Sequence, residues 1–80
     1  MKTDDFDENI ESHIADILKI FPNQLVLSPK QLAKLRNKSE LTLSRERKNS
    51  VGVAYIEANG QFEYPIREIA KWLNATTKTV

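Results

Sequence analysis

Polar residues recur at a spacing of three near the middle of the chain. Ser39, Thr42 and Arg45 share one face if this segment is helical, and Lys48 extends that face by three more residues. An arginine guanidinium can form two parallel hydrogen bonds with a guanine edge, and serine and threonine hydroxyls also bond to base edges. The spacing therefore allows one helix face to present all three residues to the major groove of DNA, with Lys48 directed toward the backbone.

A second set of residues suits the phosphate backbone, whose contacts position a protein without specifying a sequence. Lys30, Lys38 and Arg47 are cations of this kind. Gln61 follows a predicted turn and is a neutral candidate for contact with a minor-groove edge or a sugar. The sequence thus predicts a group of DNA-contacting residues spread over several elements.

Charge is unevenly distributed, although the formal net charge is only +1. Residues 24–50 hold seven Lys and Arg against two Glu, whereas residues 1–23 hold six Asp and Glu against two Lys. A basic stripe confined to one segment is the footprint expected of phosphate binding. The alternative is a solvated helix face, in which Arg45 and Arg47 pair with Glu40, Glu46 or the acidic first helix.

Catalytic and metal-binding chemistry finds little support in the composition. The chain has no cysteine and a single histidine, His13, which lies beside an apolar stripe. Residues 5–9 faintly resemble a calcium loop, but the glycine at its sixth position and the glutamate at its twelfth are missing. Neither a phosphate-binding glycine loop nor a nucleophile elbow is present. We therefore expect no enzyme activity, no metal, no cofactor and no small-molecule ligand.

The amino terminus is acidic and lacks the apolar segment of a signal peptide. Apolar runs are too short to span a bilayer. The absence of cysteine suits a reducing compartment. We expect no membrane partner and a cytoplasmic location.

The first predicted element is a helix from about Asp7 to Phe21, which ends at Pro22 because the residue before a proline avoids the helical conformation. Its apolar residues follow spacings of three and four and form one stripe: Phe6, Ile10, Ile14, Ile17 and Phe21. Such a stripe either packs on the domain's own core or forms a homodimer.

Two short helices follow a brief extended stretch at residues 24–27. Ser28, Pro29 and Gln31 form a capping-box pattern, which predicts a helix start, and a second helix starts at Ser39. The second helix runs to about Lys48, with Leu43 as its main core anchor and Leu41 or the stem of Arg47 as a possible addition. Two helices with a tight connection outline a helix-turn-helix.

A hairpin and a last helix complete the predicted order. Asn59-Gly60 separates two strand-like runs, 53–58 and 61–64, and Asn-Gly is a strong signal for a type I′ turn. The last helix spans Ile66 to Asn74. We therefore predict a mostly α fold with a small β-hairpin, made of an acidic amphipathic extension (1–23), the main domain (24–74) and a frayed tail (75–80).

From Leu27 onward the chain resembles the excisionase and MerR-like family of bacterial and phage DNA-binding proteins. The resemblance is carried by the segments LSPKQLAKL (27–35), TLSRER (42–47) and VAYIEANGQFEYPIREIAKWL (53–73). The family-like positions are Leu27, Ser28, Gln31, Ala33 and Leu35, then Thr42-Leu43, then Tyr55-Ile56, Asn59-Gly60, Tyr64, Pro65 and Trp72-Leu73. Departures are Glu57 and Glu63 on the hairpin, where the family usually carries Lys or Arg, and Glu46, where an aromatic residue is common.

The resemblance implies a winged helix-turn-helix fold, with helix 39–48 in the major groove of double-stranded DNA. It also implies a sequence-specific regulator or an excisionase-like accessory factor of a phage or mobile element. Whether the acidic wing contacts DNA, and whether the protein activates or represses, is left open by the residues. The alternative function is a protein-interaction adaptor or antirepressor on the same scaffold, with the acidic surfaces facing a protein.

Overall fold

The computed structural model describes residues 4–76, with side chains described from Asn9 onward. The elements in chain order are α1 (Asp4–Ile20), β1 (Val26–Leu27), α2 (Pro29–Arg36), α3 (Glu40–Lys48), β2 (Ile56–Ala58), β3 (Gln61–Pro65) and α4 (Ile66–Thr76). The strands form one antiparallel sheet in the order β1-β3-β2. The described part of the chain is therefore mostly helical, with a small three-stranded sheet.

Side-chain caps fix where α2 and α3 begin. The Ser28 hydroxyl accepts a hydrogen bond from the Gln31 amide at 3.1 Å, and the Gln31 side chain accepts one from the Ser28 amide at 3.0 Å. This reciprocal pair is the predicted capping box. Asn37 adopts a left-handed conformation (φ 57°) after α2, and the Ser39 hydroxyl then caps α3 by accepting from the Thr42 amide. Three residues, 37–39, therefore separate the two helices.

The predicted hairpin is present. Asn59 and Gly60 both have positive φ (53° and 76°), as a type I′ turn requires, and Ala58 pairs with Gln61 across it. The first strand of the hairpin, β2, is shorter than predicted, because it begins at Ile56 rather than Val53. Val53 instead buries its side chain in the core (4% exposed) and anchors the loop that precedes the strand.

The core lies between the helices and the inner face of the sheet. Its buried members come from every element except β2: Ile17, Leu27, Leu32, Ala33, Leu43, Val53, Tyr64, Ile66 and Ile69. Leu43 is the predicted anchor of α3 and is 1% exposed. The suggestion that Leu41 joins it is wrong, because Leu41 is 58% exposed on the opposite side of the helix.

The stripe of α1 packs on α4 within the same chain. Ile10 and Ile17 are buried, and Ile14 and Phe21 are partly buried. The helix spans Asp4–Ile20, against the predicted Asp7 to Phe21, and the side chain of Phe6 lies outside the described side chains. The stripe thus has a partner in its own chain, and a homodimer through it stays a prediction.

The last helix extends to Thr76, two residues beyond the predicted end at Asn74. The Thr76 hydroxyl donates to the Trp72 carbonyl at 2.8 Å, which holds this final turn together. Residues 77–80 of the predicted frayed tail lie outside the described residues. Among the helices within residues 4–76, none has the length and apolar character that crossing a membrane requires.

Candidate nucleic-acid interface

The solvent-facing side of α3 carries two cations. Arg45 and Lys48 are exposed, whereas Leu43 is buried and points into the core. Leu41 is exposed on the same side, four residues before Arg45 and seven before Lys48. Because residues at i, i+4 and i+7 share a helix face, these three side chains define what we call the outer face of α3.

The hydroxyl residues of the predicted face have local partners instead. The Ser39 hydroxyl caps α3, and it also lies 3.1 Å from the Thr42 hydroxyl. Thr42 is half-buried. The structure therefore places Ser39 and Thr42 at the amino-terminal edge of the outer face, with their hydroxyls bonded to each other.

Arg47 lies on the inner side of α3, against the hairpin. Its guanidinium carbon is 4.0 Å above the centre of the Phe62 ring and 5.9 Å from that of Tyr55. One of its nitrogens also donates a hydrogen bond to the Tyr64 hydroxyl. This half-buried cation therefore joins α3 to the sheet through aromatic rings, which attract a cation to their faces.

A second arginine fixes α3 to α2 and α4. The Arg36 guanidinium donates two hydrogen bonds to the Glu46 carboxylate, at 2.7 and 2.9 Å, and lies 4.2 Å from the centre of the Trp72 ring. The Arg36 side chain is 8% exposed and that of Glu46 is 21% exposed. Such a planar, two-bonded pair has a defined geometry, so it constrains the rotation of α3 about its own axis.

The loop after α3 closes onto the same ion pair. Gly52 has a positive φ of 89°, and a Cβ atom at this position would lie 2.5 Å from a Glu46 carboxylate oxygen. The glycine is therefore needed both for its backbone conformation and for the close approach to Glu46.

Sequence reasoning missed the structural parts of this site: the roles of Arg36, Glu46 and Gly52. In the sequence, Arg36 is only one of the seven Lys and Arg residues of the basic segment 24–50. The one available signal was Glu46, an acid where the resemblance proposed from the sequence leads us to expect an aromatic residue. Its partner lies ten residues away on another helix, and sequence spacing alone does not indicate such a contact.

The remaining predicted contacts lie on different elements. Lys30 is exposed in the first turn of α2, Lys38 is exposed between α2 and α3, and Gln61 is exposed at the start of β3. Together with the outer face of α3, they spread over the helix pair and the tip of the hairpin.

Arg45 and Lys48 of the outer face take part in none of the ion pairs among residues 9–76. The ion pairs among residues 9–76 join Lys19 to Asp16, Arg36 to Glu46 and Lys71 to Glu68. None of them joins Arg45 or Arg47 to Glu40, Glu46 or the described part of α1. Within those residues, the cations of α3 thus either face solvent or rest on aromatic rings.

The two hairpin carboxylates lie on opposite faces of the sheet. Glu57 pairs with Phe62 across the strands and lines an open groove beside α3, whose other walls include Lys48 and Tyr55. Glu63 pairs with Ile56 instead. Cross-strand partners lie on the same face of a sheet, whereas neighbours along a strand lie on opposite faces, so Glu63 lies on the face opposite to Phe62 and Glu57. Only Glu57 therefore lines this groove, which meets the outer face of α3 at Lys48.

The part of the chain that the structure describes contains no cluster of three or more His, Cys, Asp or Glu residues that could hold a metal ion. The arrangement is suited to binding a polyanion: exposed guanidinium and ammonium groups on a helix that other contacts hold from behind. Comparison with models of protein families, with curated proteins and with solved structures found no match.

Proposed function

We propose that this protein binds double-stranded DNA in a sequence-specific manner, as a regulator or an excisionase-like accessory factor. In this proposal α2 and α3 form a helix-turn-helix, α3 enters the major groove, and the β2–β3 hairpin is the wing.

The observation that carries the proposal is the division of charge on α3. Arg47 and Glu46 face inward, where the aromatic rings and Arg36 hold them. Arg45 and Lys48 face outward and have no ion-pair partner among residues 9–76. A helix that is held from behind and presents free cations in front can meet a polyanion without rearranging, which lowers the entropic cost of binding.

Each outward residue then has a role that follows from its chemistry. Arg45 reads a guanine edge, a contact worth about 1–3 kcal/mol of discrimination. Lys48, Lys38 and Lys30 bind phosphates and set the register. Arg47 contributes by orienting α3, because its guanidinium is engaged with Phe62 and Tyr64.

The test is a mobility shift over a range of salt concentrations, with fragments of the native genome as probes. Binding through phosphates predicts that affinity falls steeply as salt is added. The logarithm of the binding constant, plotted against the logarithm of the salt concentration, should have a slope of about −0.9 per phosphate contacted. Lys48→Ala should weaken all sequences alike and reduce that slope by about 1, whereas Arg45→Ala should relax base preference.

Lys19→Ala is the matched control, since it removes one exposed lysine from α1 rather than from the outer face of α3. It should leave the salt slope unchanged. Failure of the wild-type protein to retard any duplex at low salt would contradict the proposal.

A specific observation keeps a protein-interaction adaptor or antirepressor as the second candidate. Leu18, Ile20 and Leu25 are 37%, 59% and 87% exposed, and Leu18 and Leu25 line an apolar groove between α1 and the start of α4. Exposed apolar side chains in such a groove favour a protein partner. The mobility shift separates the two candidates, because an adaptor predicts no salt-dependent binding to DNA.

The oligomeric state of the protein bears on how tightly it can bind DNA. A domain of 80 residues makes few DNA contacts alone, which favours binding as a dimer or as adjacent copies. Sedimentation velocity with and without a bound duplex tests this expectation. A monomer under both conditions would count against a homodimer through Phe6, Ile10, Ile14, Ile17 and Phe21.

A further inference from the structure

We infer that Leu41 is a specificity-determining residue that contacts the C5-methyl group of thymine, an inference that rests on the DNA-binding function proposed above. The chemical class it recognises is a duplex in which a thymine lies close to the guanine read by Arg45.

Leu41 is exposed near the amino terminus of α3. It is the second residue of α3, it is 58% exposed, and it lies on the same outer face as Arg45 and Lys48. The core does not need it, because Leu43 fills the anchoring role and is 1% exposed. Leu41 therefore presents an apolar side chain on the face that meets DNA.

The first turn of α3 offers an apolar side chain for contact with a base. A helix that reads the major groove contacts bases mainly through its amino-terminal residues. Here that turn has no cation: it carries Glu40, Leu41 and Thr42, and the Thr42 hydroxyl lies against that of Ser39. The apolar group that a leucine can meet in the major groove is the thymine methyl.

The separation of Leu41 and Arg45 along α3 indicates how far apart the thymine and the guanine lie. Leu41 and Arg45 are four residues apart, which is about 6 Å along the axis at 1.5 Å per residue. Base pairs are stacked about 3.4 Å apart. The thymine is therefore expected within about two base pairs of the guanine.

The experiment compares thymine with deoxyuridine, which has the same hydrogen-bonding groups and phosphates but no methyl group. Duplexes are first selected from a pool with a random core by the wild-type protein, and the best binders are resynthesised with deoxyuridine in place of thymine. The wild type should bind the methyl-free duplex about fourfold more weakly for each contacted methyl, the effect of exposing one such group to water.

Two variants assign that loss to a residue. Leu41→Ala should bind the two duplexes with nearly equal affinity. Leu25→Ala is the matched control, because Leu25 is still more exposed but lines the groove beside Ile14 and Leu18 of α1, and it should discriminate as the wild type does. Circular dichroism checks that both variants fold, which is expected for exposed positions.

Two results would overturn the inference while leaving DNA binding intact. One is equal affinity of the wild type for both duplexes, and the other is full discrimination by Leu41→Ala. If selection yields no duplex that the wild type binds at low salt, the proposed function itself fails, and the role of Leu41 fails with it.

Discussion

The Glu46 side chain joins α3 to α2 and to the loop that follows α3. Its carboxylate accepts both hydrogen bonds of the Arg36 guanidinium, and the loop at Gly52 closes over it. Arg36 in turn stacks on Trp72 of α4. One acidic side chain thus helps to hold α3, α2 and α4 in fixed relative positions.

Glu46→Gln should destabilise the protein by about 2 kcal/mol, between the values for exposed and fully buried ion pairs, because it leaves the Arg36 guanidinium buried without a charged partner. Urea denaturation measures the loss. Glu68→Gln is the control, since its pair with Lys71 is more exposed than that of Glu46 with Arg36, and it should cost less than about 0.5 kcal/mol. Equal losses in the two variants would contradict this role of Glu46.

Gly52 and Gly60 differ in the space around them. Both have positive φ, but a Cβ at Gly60 would meet nothing within 4 Å, whereas one at Gly52 would meet Glu46. Gly60→Ala should therefore cost only the backbone strain, about 1 kcal/mol. Gly52→Ala should cost at least about 1 kcal/mol more, because the carboxylate must move away from Arg36. Thermal or urea unfolding checks the order, and a reversed order would show that the loop does not close on the ion pair.

Among the elements, α1 contributes to the core although it lies outside the predicted main domain (24–74). It packs on α4, and Ile17 is 2% exposed within the core cluster. The helix that the sequence presents as an extension thus covers apolar side chains of the main domain.

Ile17→Ala should destabilise the protein by about 3 kcal/mol, the usual cost of truncating a buried isoleucine. Its neighbour Leu18 is 37% exposed, and Leu18→Ala should cost less than about 1 kcal/mol. Chemical denaturation of both variants provides the comparison. A small effect at Ile17 would indicate that α1 does not belong to the folding unit.

Over the whole molecule, the sequence predicts best what depends on neighbours along the chain. The Ser28 capping box and the Asn59-Gly60 turn were predictable because their contacts span three residues or fewer. The apolar stripe of α1 follows from helical periodicity. These local signals specify the order of the elements and most of their bounds.

Contacts between distant residues account for what was missed. Arg36 reaches Glu46 across ten residues and Arg47 reaches Tyr64 across seventeen, and neither spacing carries a pattern. Because these contacts set the rotation of α3, they also decide which of its residues face outward. The predicted face of Ser39, Thr42, Arg45 and Lys48 therefore shares Arg45 and Lys48 with the outer face, to which the structure adds Leu41.

An NMR titration tests most directly whether this outer face binds DNA. The labelled protein is titrated with a duplex selected from a random pool, and shifts of the backbone amides are mapped on the structure. We predict the largest shifts in residues 37–48, with small shifts on α1. Shifts concentrated at Leu18 and Leu25, or no response of α3 to any selected duplex, would contradict it.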